Sequence, residues 1–174
     1  MSRRLKSGIV ARMIRTGIGF DSHRLVPGRR LVLGGVEIPH EHGLMGHSDA
    51  DVLIHALCDA LLGSVADGDI GQHFSDQDPQ WKDADSTVLL ARVIERLTRA
   101  GWRVVNTDVT VVAEAPKLMP HIPAMRTRLA EVMGVDRSRV SVKAKTNEGM
   151  DAVGRREGIS AMAVATVAQR LAGD

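Results

Sequence analysis

The chain has 174 residues, 44% of them apolar and 25% charged, which is ordinary usage for one globular domain able to bury its core without disulfides or a structural metal. With two Phe, two Trp and no Tyr, the core must come from Val, Leu, Ile, Met and Ala, and recognition of nucleic acid by base stacking is disfavoured. The net charge of +2 originates in the first fifteen residues, where Arg3, Arg4, Lys6, Arg12 and Arg15 stand without an acid; apart from these five, 18 basic residues face 21 acidic ones.

Residues 1–12 read as a basic, solvated extension, with a nucleic-acid arm as the competing reading, and residues 13–172 as a single domain. Residues 12–20 (RMIRTGIGF) predict a strand, and residues 31–38 (LVLGGVEI) a second one interrupted by Gly34-Gly35. PHEHGLMGHS (39–48) reads as loop. From Asp49 to Ala66 the apolar positions 52, 53, 56, 57, 60 and 61 recur at helical spacing, with Ser48 and Asp51 as a loose capping signal. Cys58 lies in that pattern, so a buried, inert thiol is expected. The acidic, aperiodic stretch 68–86 reads as a mobile loop. A second amphipathic helix follows over Ser86–Ala100, then a β-branched strand over Trp102–Ala113 and a third helix over Pro120–Met133, stopped by Gly134. Val140–Lys145 and Ile159–Val167 read as strands around a Gly-rich loop.

Strands interleaved with helices predict an α/β sandwich, a four- to five-stranded mixed sheet with helices packed on one face. No apolar run reaches the ~18–20 residues of a membrane span. No secretory signal is legible, so a soluble, cytoplasmic protein without membrane or nucleic-acid partners is expected.

The chemistry concentrates in a few places. Asp21 and His23 stand two apart on a strand, hence on one face, and five of the seven histidines fall between positions 23 and 55. One carboxylate and one imidazole make two legs of a transition-metal site, with a third from His42, His47 or His55. His55 is best placed. With Asp51 and Asp59 one turn away on either side it forms a polar stripe, and a flanking carboxylate is positioned to accept its second N–H. A solvated helix face explains the same stripe without metal. His47 and Ser48 sit where a Gly-rich loop enters a helix, a seat for phosphate or a plain cap. AEAPKLMPHIP (113–123) is stiffened by three prolines and suits a planar ligand or a simple connection. KAKTNEGMDAVGRREG (143–158) crowds four cations around Glu148 and Glu157, as polyphosphate with a divalent ion or a salt-bridged surface loop would require.

Taken in order, GFDSHR, LGGVEIP, GLMGHSDADVLIHALCDALLG, GDIGQHFSD, AEAPKLMPHIPAMR and VKAKTNEGMDAVGRREGI resemble the 2-C-methyl-D-erythritol 2,4-cyclodiphosphate synthase family over about residues 14–170. No single motif is decisive, but the ordered set is strongly specific. The resemblance implies a non-mevalonate isoprenoid-pathway lyase. It converts 4-diphosphocytidyl-2-C-methyl-D-erythritol 2-phosphate to the 2,4-cyclodiphosphate and CMP. It further implies zinc on Asp21, His23 and His55, with the fourth position left for a substrate phosphate oxygen. By the same likeness His47 and Ser48 meet the phosphates, and His47 and Thr146 stabilise the transition state. Asp69, Ile70 and Gly71 with the loop Phe74, Ser75, Asp76, Gln77 and Asp78 match the methylerythritol segment. Ala113, Glu114, Ala115, Pro116, Lys117, Leu118 and Met119, together with Lys145, Thr146, Asn147 and Glu148, match the cytidine and diphosphate pocket, Glu148 holding magnesium or manganese.

The family is a homotrimer around a central cavity, with active sites between subunits, and the Ala-rich last strand (Ala161, Ala163, Ala165) suits close packing at a threefold axis as well as a monomer core. Some members hold an isoprenoid diphosphate in that cavity, with an arginine matching Arg155. This chain departs from the family at Lys145 and Asn147, where threonines are common. It departs again at Ala152 and Arg156, beside the isoprenoid position, which weighs against that ligand here. A zinc-dependent phosphoesterase is the competing reading of the same residues.

Overall fold

In the middle of the last strand Ala161, Ala163 and Ala165 alternate with the larger Met162, Val164 and Thr166, and this alternation decides how the layers stack. The computed structural model describes residues 13–170; the basic extension expected over 1–12 lies outside the described residues. In chain order the elements are β1 (Ile14–Pro27), β2 (Leu31–Leu33), β3 (Val36–Ile38), β4 (His42–Leu44), α1 (Val52–Ser64), α2 (Ile70–His73), α3 (Ser86–Arg99), β5 (Trp102–Val112), α4 (Ile122–Met133), β6 (Val140–Lys145), α5 (Asp151–Gly154) and β7 (Gly158–Gln169). A five-stranded sheet runs β4-β1-β7-β5-β6, with β5 and β6 parallel and the other pairs antiparallel. This is the mixed sheet that the interleaved pattern predicts.

α1, α3 and α4 cover one face. α1 is buried almost all round, and Leu53, Leu57 and Leu61 are fully enclosed, each worth about 1.5–3 kcal/mol of apolar burial. It lies unusually close to the sheet because nothing stands beneath it. A Cβ on Gly17 would meet the Ala60 carbonyl oxygen at 2.1 Å, and one on Gly19 the Ala56 carbonyl oxygen at 2.0 Å. On β7, Ala161, Ala163 and Ala165 are fully buried, so these alanines belong to the core of the single chain and not to an open surface. The side chains between them face the other way: Ile18, Phe20, Met162 and Val164 are exposed on the helix-free face.

Several expectations need correction. Residues 31–38 are not one interrupted strand but a hairpin, β2–β3, whose Gly34-Gly35 turn has φ of 61° and 70°, as a two-residue hairpin loop requires. The loop over 39–48 contains β4, paired to Leu25–Pro27 at the sheet edge. The stretch 68–86 is not structureless: Asp69 caps α2, and Asp78 caps a 3₁₀ turn over Pro79–Trp81. β1 continues through Asp21 and His23 to Pro27. The first helix is capped by Asp51, not Ser48. One Asp51 oxygen accepts from Ile54 N–H at 3.1 Å and the other from Gly35 N–H at 2.7 Å, tying the hairpin turn to the helix start. The helix of 86–99, the strand of 102–112, the αL stop at Gly134 and the strand 140–145 fall as their patterns predict.

Candidate active site

Gly17, Gly19, Asp21 and His23 occupy alternate positions of β1, so the residues that let α1 approach and the residues that meet its side chains share one face. Where the glycines end, the helix presents His55. Asp21 Oδ2 stands 2.9 Å from His23 Nε2 and 3.0 Å from His55 Nδ1, and the two imidazole nitrogens are 3.1 Å apart. Three donors on one ion at 2.0–2.1 Å and tetrahedral angles would be about 3.3 Å apart, so the triangle needs to open by only a few tenths of an ångström to hold a divalent metal. Among the described residues this is the one such group of three, and one acid with two imidazoles suits a borderline-soft transition ion. Burial works against the charge on Asp21, but the hydrogen bonds and charges of His23 and His55 outweigh it and hold the carboxyl well below the usual carboxylate range. His23 is raised in turn: burial opposes its charged form, and the Asp21 hydrogen bond and charge prevail.

The triangle opens on a cavity of about 300 Å³, lined by His23, Gly46, His47, Ser48, His55, Ile70, Phe74, Asp76, Trp81 and Leu89. Phe74 and Trp81 meet edge to face with ring centroids 5.0 Å apart and make its apolar side. The loop bearing His47 and Ser48 is held from behind. Arg29 donates to Gly46 O at 3.0 Å and to Ser48 O at 2.7 Å, and Asp83 N–H donates to His47 O at 2.8 Å. Ser48 is itself 6% exposed, and its Oγ accepts from Ala50 N–H at 3.1 Å. Of the segment 69–78, Ile70, Phe74 and Asp76 reach the cavity, whereas Asp69, Ser75 and Asp78 spend side-chain oxygens on local backbone N–H groups.

The polar stripe expected on α1 divides differently. Asp51 caps the helix and Asp59 accepts from Ile70 N–H at 2.7 Å, so neither orients His55. Its Nε2 instead faces Ser86 Oγ at 3.1 Å and Ser48 Oγ at 3.2 Å. Ser86, Asp49, Trp81, Leu89 and Arg29 escaped the sequence reading: Ser86, Trp81, Leu89 and Arg29 reach the site from segments distant along the chain, and Asp49, although next to Ser48, shows its role only through its bonds to Ser86.

A second group assembles at the end of β5 and β6. Ala113 N–H donates to Lys145 O at 2.9 Å, and Glu114 Oε2 accepts from Asn147 N–H at 3.1 Å and Gly149 N–H at 3.4 Å, joining the 113–119 segment to the 145–149 turn. Thr146 Oγ1 donates to Glu148 Oε1 at 2.5 Å, and Glu148 holds a positive φ of 50°, a cost that persists at positions under functional constraint. Met119 is 68% exposed. None of these residues lines the metal-side cavity. Ala152 lines a smaller one of about 200 Å³ with Ser22, His23 and Arg24, and Arg155 is paired with Glu157 at 2.7 Å.

A mixed sheet covered on one face and an Asp/His/His corner able to hold a divalent metal beside a Gly-rich loop suit an enzyme that acts on an anionic ester. Residues 14–168 match the YgbB family model, and the chain belongs to that family. It is 60% identical over 156 residues to a 2-C-methyl-D-erythritol 2,4-cyclodiphosphate synthase of Syntrophomonas wolfei, spanning 90% of this chain and 99% of that protein. A solved 2C-methyl-D-erythritol-2,4-cyclodiphosphate synthase in its CDP-bound form superposes with a TM-score of 0.81 at 37% identity, covering 88% of this chain and 99% of the other. The bifunctional IspDF of Campylobacter jejuni matches at TM-score 0.88 and 38% identity over 91% of this chain; the chain spans 43% of that longer protein.

Proposed function

We propose that this site closes the cyclic diphosphate by intramolecular phosphoryl transfer, with the Asp21/His23/His55 corner on the β-phosphate side and the Glu148 turn on the nucleotide side. The chain is a lyase of isoprenoid biosynthesis that converts 4-diphosphocytidyl-2-C-methyl-D-erythritol 2-phosphate to 2-C-methyl-D-erythritol 2,4-cyclodiphosphate and CMP. An oxygen of the 2-phosphate attacks the β-phosphorus in line, a new P–O bond forms, and the bond to CMP breaks. The attacking oxygen is already anionic, so no strong general base is needed, and alignment with charge stabilisation carries the catalysis. Asp21, His23 and His55 would hold zinc, and Glu148 magnesium or manganese; such ions, when bound, supply Lewis-acid stabilisation to the phosphate oxygens. His47 and Ser48 line the same cavity and would orient phosphate, Thr146 sits beside Glu148, and Phe74 with Trp81 would shield the methylerythritol carbons from water.

Two features support a homotrimer with shared sites. Within one chain, the segments 113–119 and 145–148 stand apart from the metal-side cavity, so a neighbouring copy would complete it. The helix-free sheet face exposes Ile18 and Phe20 at 66% and 58%, an apolar patch suited to burial between copies. The CDP held by the solved relative supports a cytidine diphosphate ligand, which the likeness of residues 113–119 to the family's nucleotide segment would seat there. Among the described residues no helix is long and apolar enough to cross a membrane. A cytoplasmic setting and a single domain over 13–172 belong to this reading.

The observation that carries it is the donor triangle opening on a cavity of about 300 Å³, room for a phosphate and the carbons attached to it. Incubation of the zinc- and magnesium-supplemented protein with the cytidyl substrate is expected to release CMP and the cyclic diphosphate, followed by ³¹P NMR. Inorganic phosphate in place of the cyclic product would assign the chain to hydrolysis instead.

A further inference from the structure

His55 turns Nδ1 toward Asp21 and His23, so in the tautomer that binds metal there the ring proton is on Nε2 and must find an acceptor. Two hydroxyls meet it, and they differ in kind. Ser48 lines the cavity and accepts from Ala50 N–H. Ser86 is fully buried at the start of α3, and its Oγ–H donates to Asp49 Oδ1, which leaves only lone pairs to face His55 Nε2 at 3.1 Å. Asp49 is immobilised in turn. Its Oδ2 accepts Ser86 N–H at 3.1 Å, its Oδ1 accepts Asp51 N–H at 3.1 Å, and its own N–H donates to Ala84 O at 3.0 Å.

We infer that Asp49 and Ser86 are positioning residues for the metal corner: the chain Asp49–Ser86–His55 fixes the tautomer and ring plane of His55 and thereby sets the metal affinity. This rests on the reading of Asp21, His23 and His55 as metal ligands. A carboxylate that accepts a hydrogen bond from the Ser86 hydroxyl polarises its oxygen into a better acceptor. An acceptor at Nε2 raises the electron density at Nδ1, which is how carboxylates bonded directly to ligand histidines act. Here the hydroxyl is interposed. The device also joins the His47–Asp51 loop to the α3 start, so ligand orientation and cavity shape depend on one weld. Ser48 keeps its own hydrogen for a phosphate oxygen, since a hydroxyl that accepts from Ala50 N–H still has its proton to donate.

The test uses the full chain. Zinc affinity is measured by competition with a chromogenic chelator for the wild type, Ser86→Ala, Asp49→Asn and the double variant, and ¹⁵N-detected ring signals of His55 report its tautomer. Each single variant is expected to bind zinc about 10–100-fold more weakly. The double variant should lose no more than the weaker-binding single one, because the two residues act in series. His55 should pass from one tautomer to a mixture. Wild-type zinc affinity and an unchanged His55 tautomer in both folded single variants would overturn the inference and leave Asp49 and Ser86 as a structural weld. Should Ser86→Ala fold poorly, Asp49→Asn decides alone, since it keeps the side-chain size and an acceptor for Ser86 N–H. A wild type that binds no zinc would remove the metal reading and this inference together, whereas unchanged affinity confined to the variants removes only the inference.

Discussion

Glu148 is held by the hydroxyl of Thr146, and Glu148→Gln preserves that acceptor while deleting the charge. The turn should therefore survive, and the magnesium concentration for half-maximal turnover should rise by about tenfold or more, read from a metal titration of initial rates. Asp51 offers a different experiment. Complete burial, reinforced by the nearby Asp49 charge, pushes its carboxyl up to about 6, against the pull of backbone N–H groups from Gly35, Gly34 and Ile54. Its folded value lies above the ordinary 3.8, so the folded state keeps a proton that the unfolded chain releases first. Its effect is that stability falls as pH rises from about 4 to about 6, by up to about 3 kcal/mol. Asp51→Asn keeps a capping oxygen without the titration, and urea unfolding at several pH values should show a correspondingly flatter profile across that window. Cys58 carries no chemistry: burial pushes its thiol up, in agreement with an inert core residue.

At the scale of elements, the contact of α1 with β1 matters most. Asp21 and His23 belong to one element and His55 to the other, so their separation is set by how closely the two backbones lie. Gly19→Ala would place a methyl 2.0 Å from the Ala56 carbonyl oxygen, next to His55, and the helix must lift. The expected cost is about 1–3 kcal/mol of stability, seen in thermal unfolding, with weaker zinc binding in chelator competition. The sequence makes Asp21 and His23 a pair, because a period of two puts them on one face whatever else happens. It cannot identify Ser86 as the neighbour of His55. That residue belongs to a segment that is distant along the chain, and it carries no distinctive pattern of its own. The four-residue α2 is illegible for a related reason: it is too short to show periodicity, and Asp59 of α1 fastens its first N–H.

At the scale of the molecule, one face of the sheet is covered by helices and the other carries Ile18, Phe20, Met162 and Val164 in the open. Phe20→Asp places a charge on that face while Asp21, the next residue, points to the opposite side. If the face is shared between copies, sedimentation should show a smaller assembly. Turnover should fall at least about tenfold, as the partner's contribution to the site is withdrawn, while zinc is retained. A variant that stays assembled at full activity would place the contact elsewhere.

The chain order of motifs, the alternation of strands with helices and the Asp/His pair could all be read without coordinates, since each depends on neighbours within a few positions and on fixed backbone periods. Whether Ala161, Ala163 and Ala165 faced a helix or another subunit could not, nor could the partners of His55. Those were settled when Gly17 and Gly19 let a helix settle onto the sheet, a matter of which backbones can touch, and local pattern does not encode that.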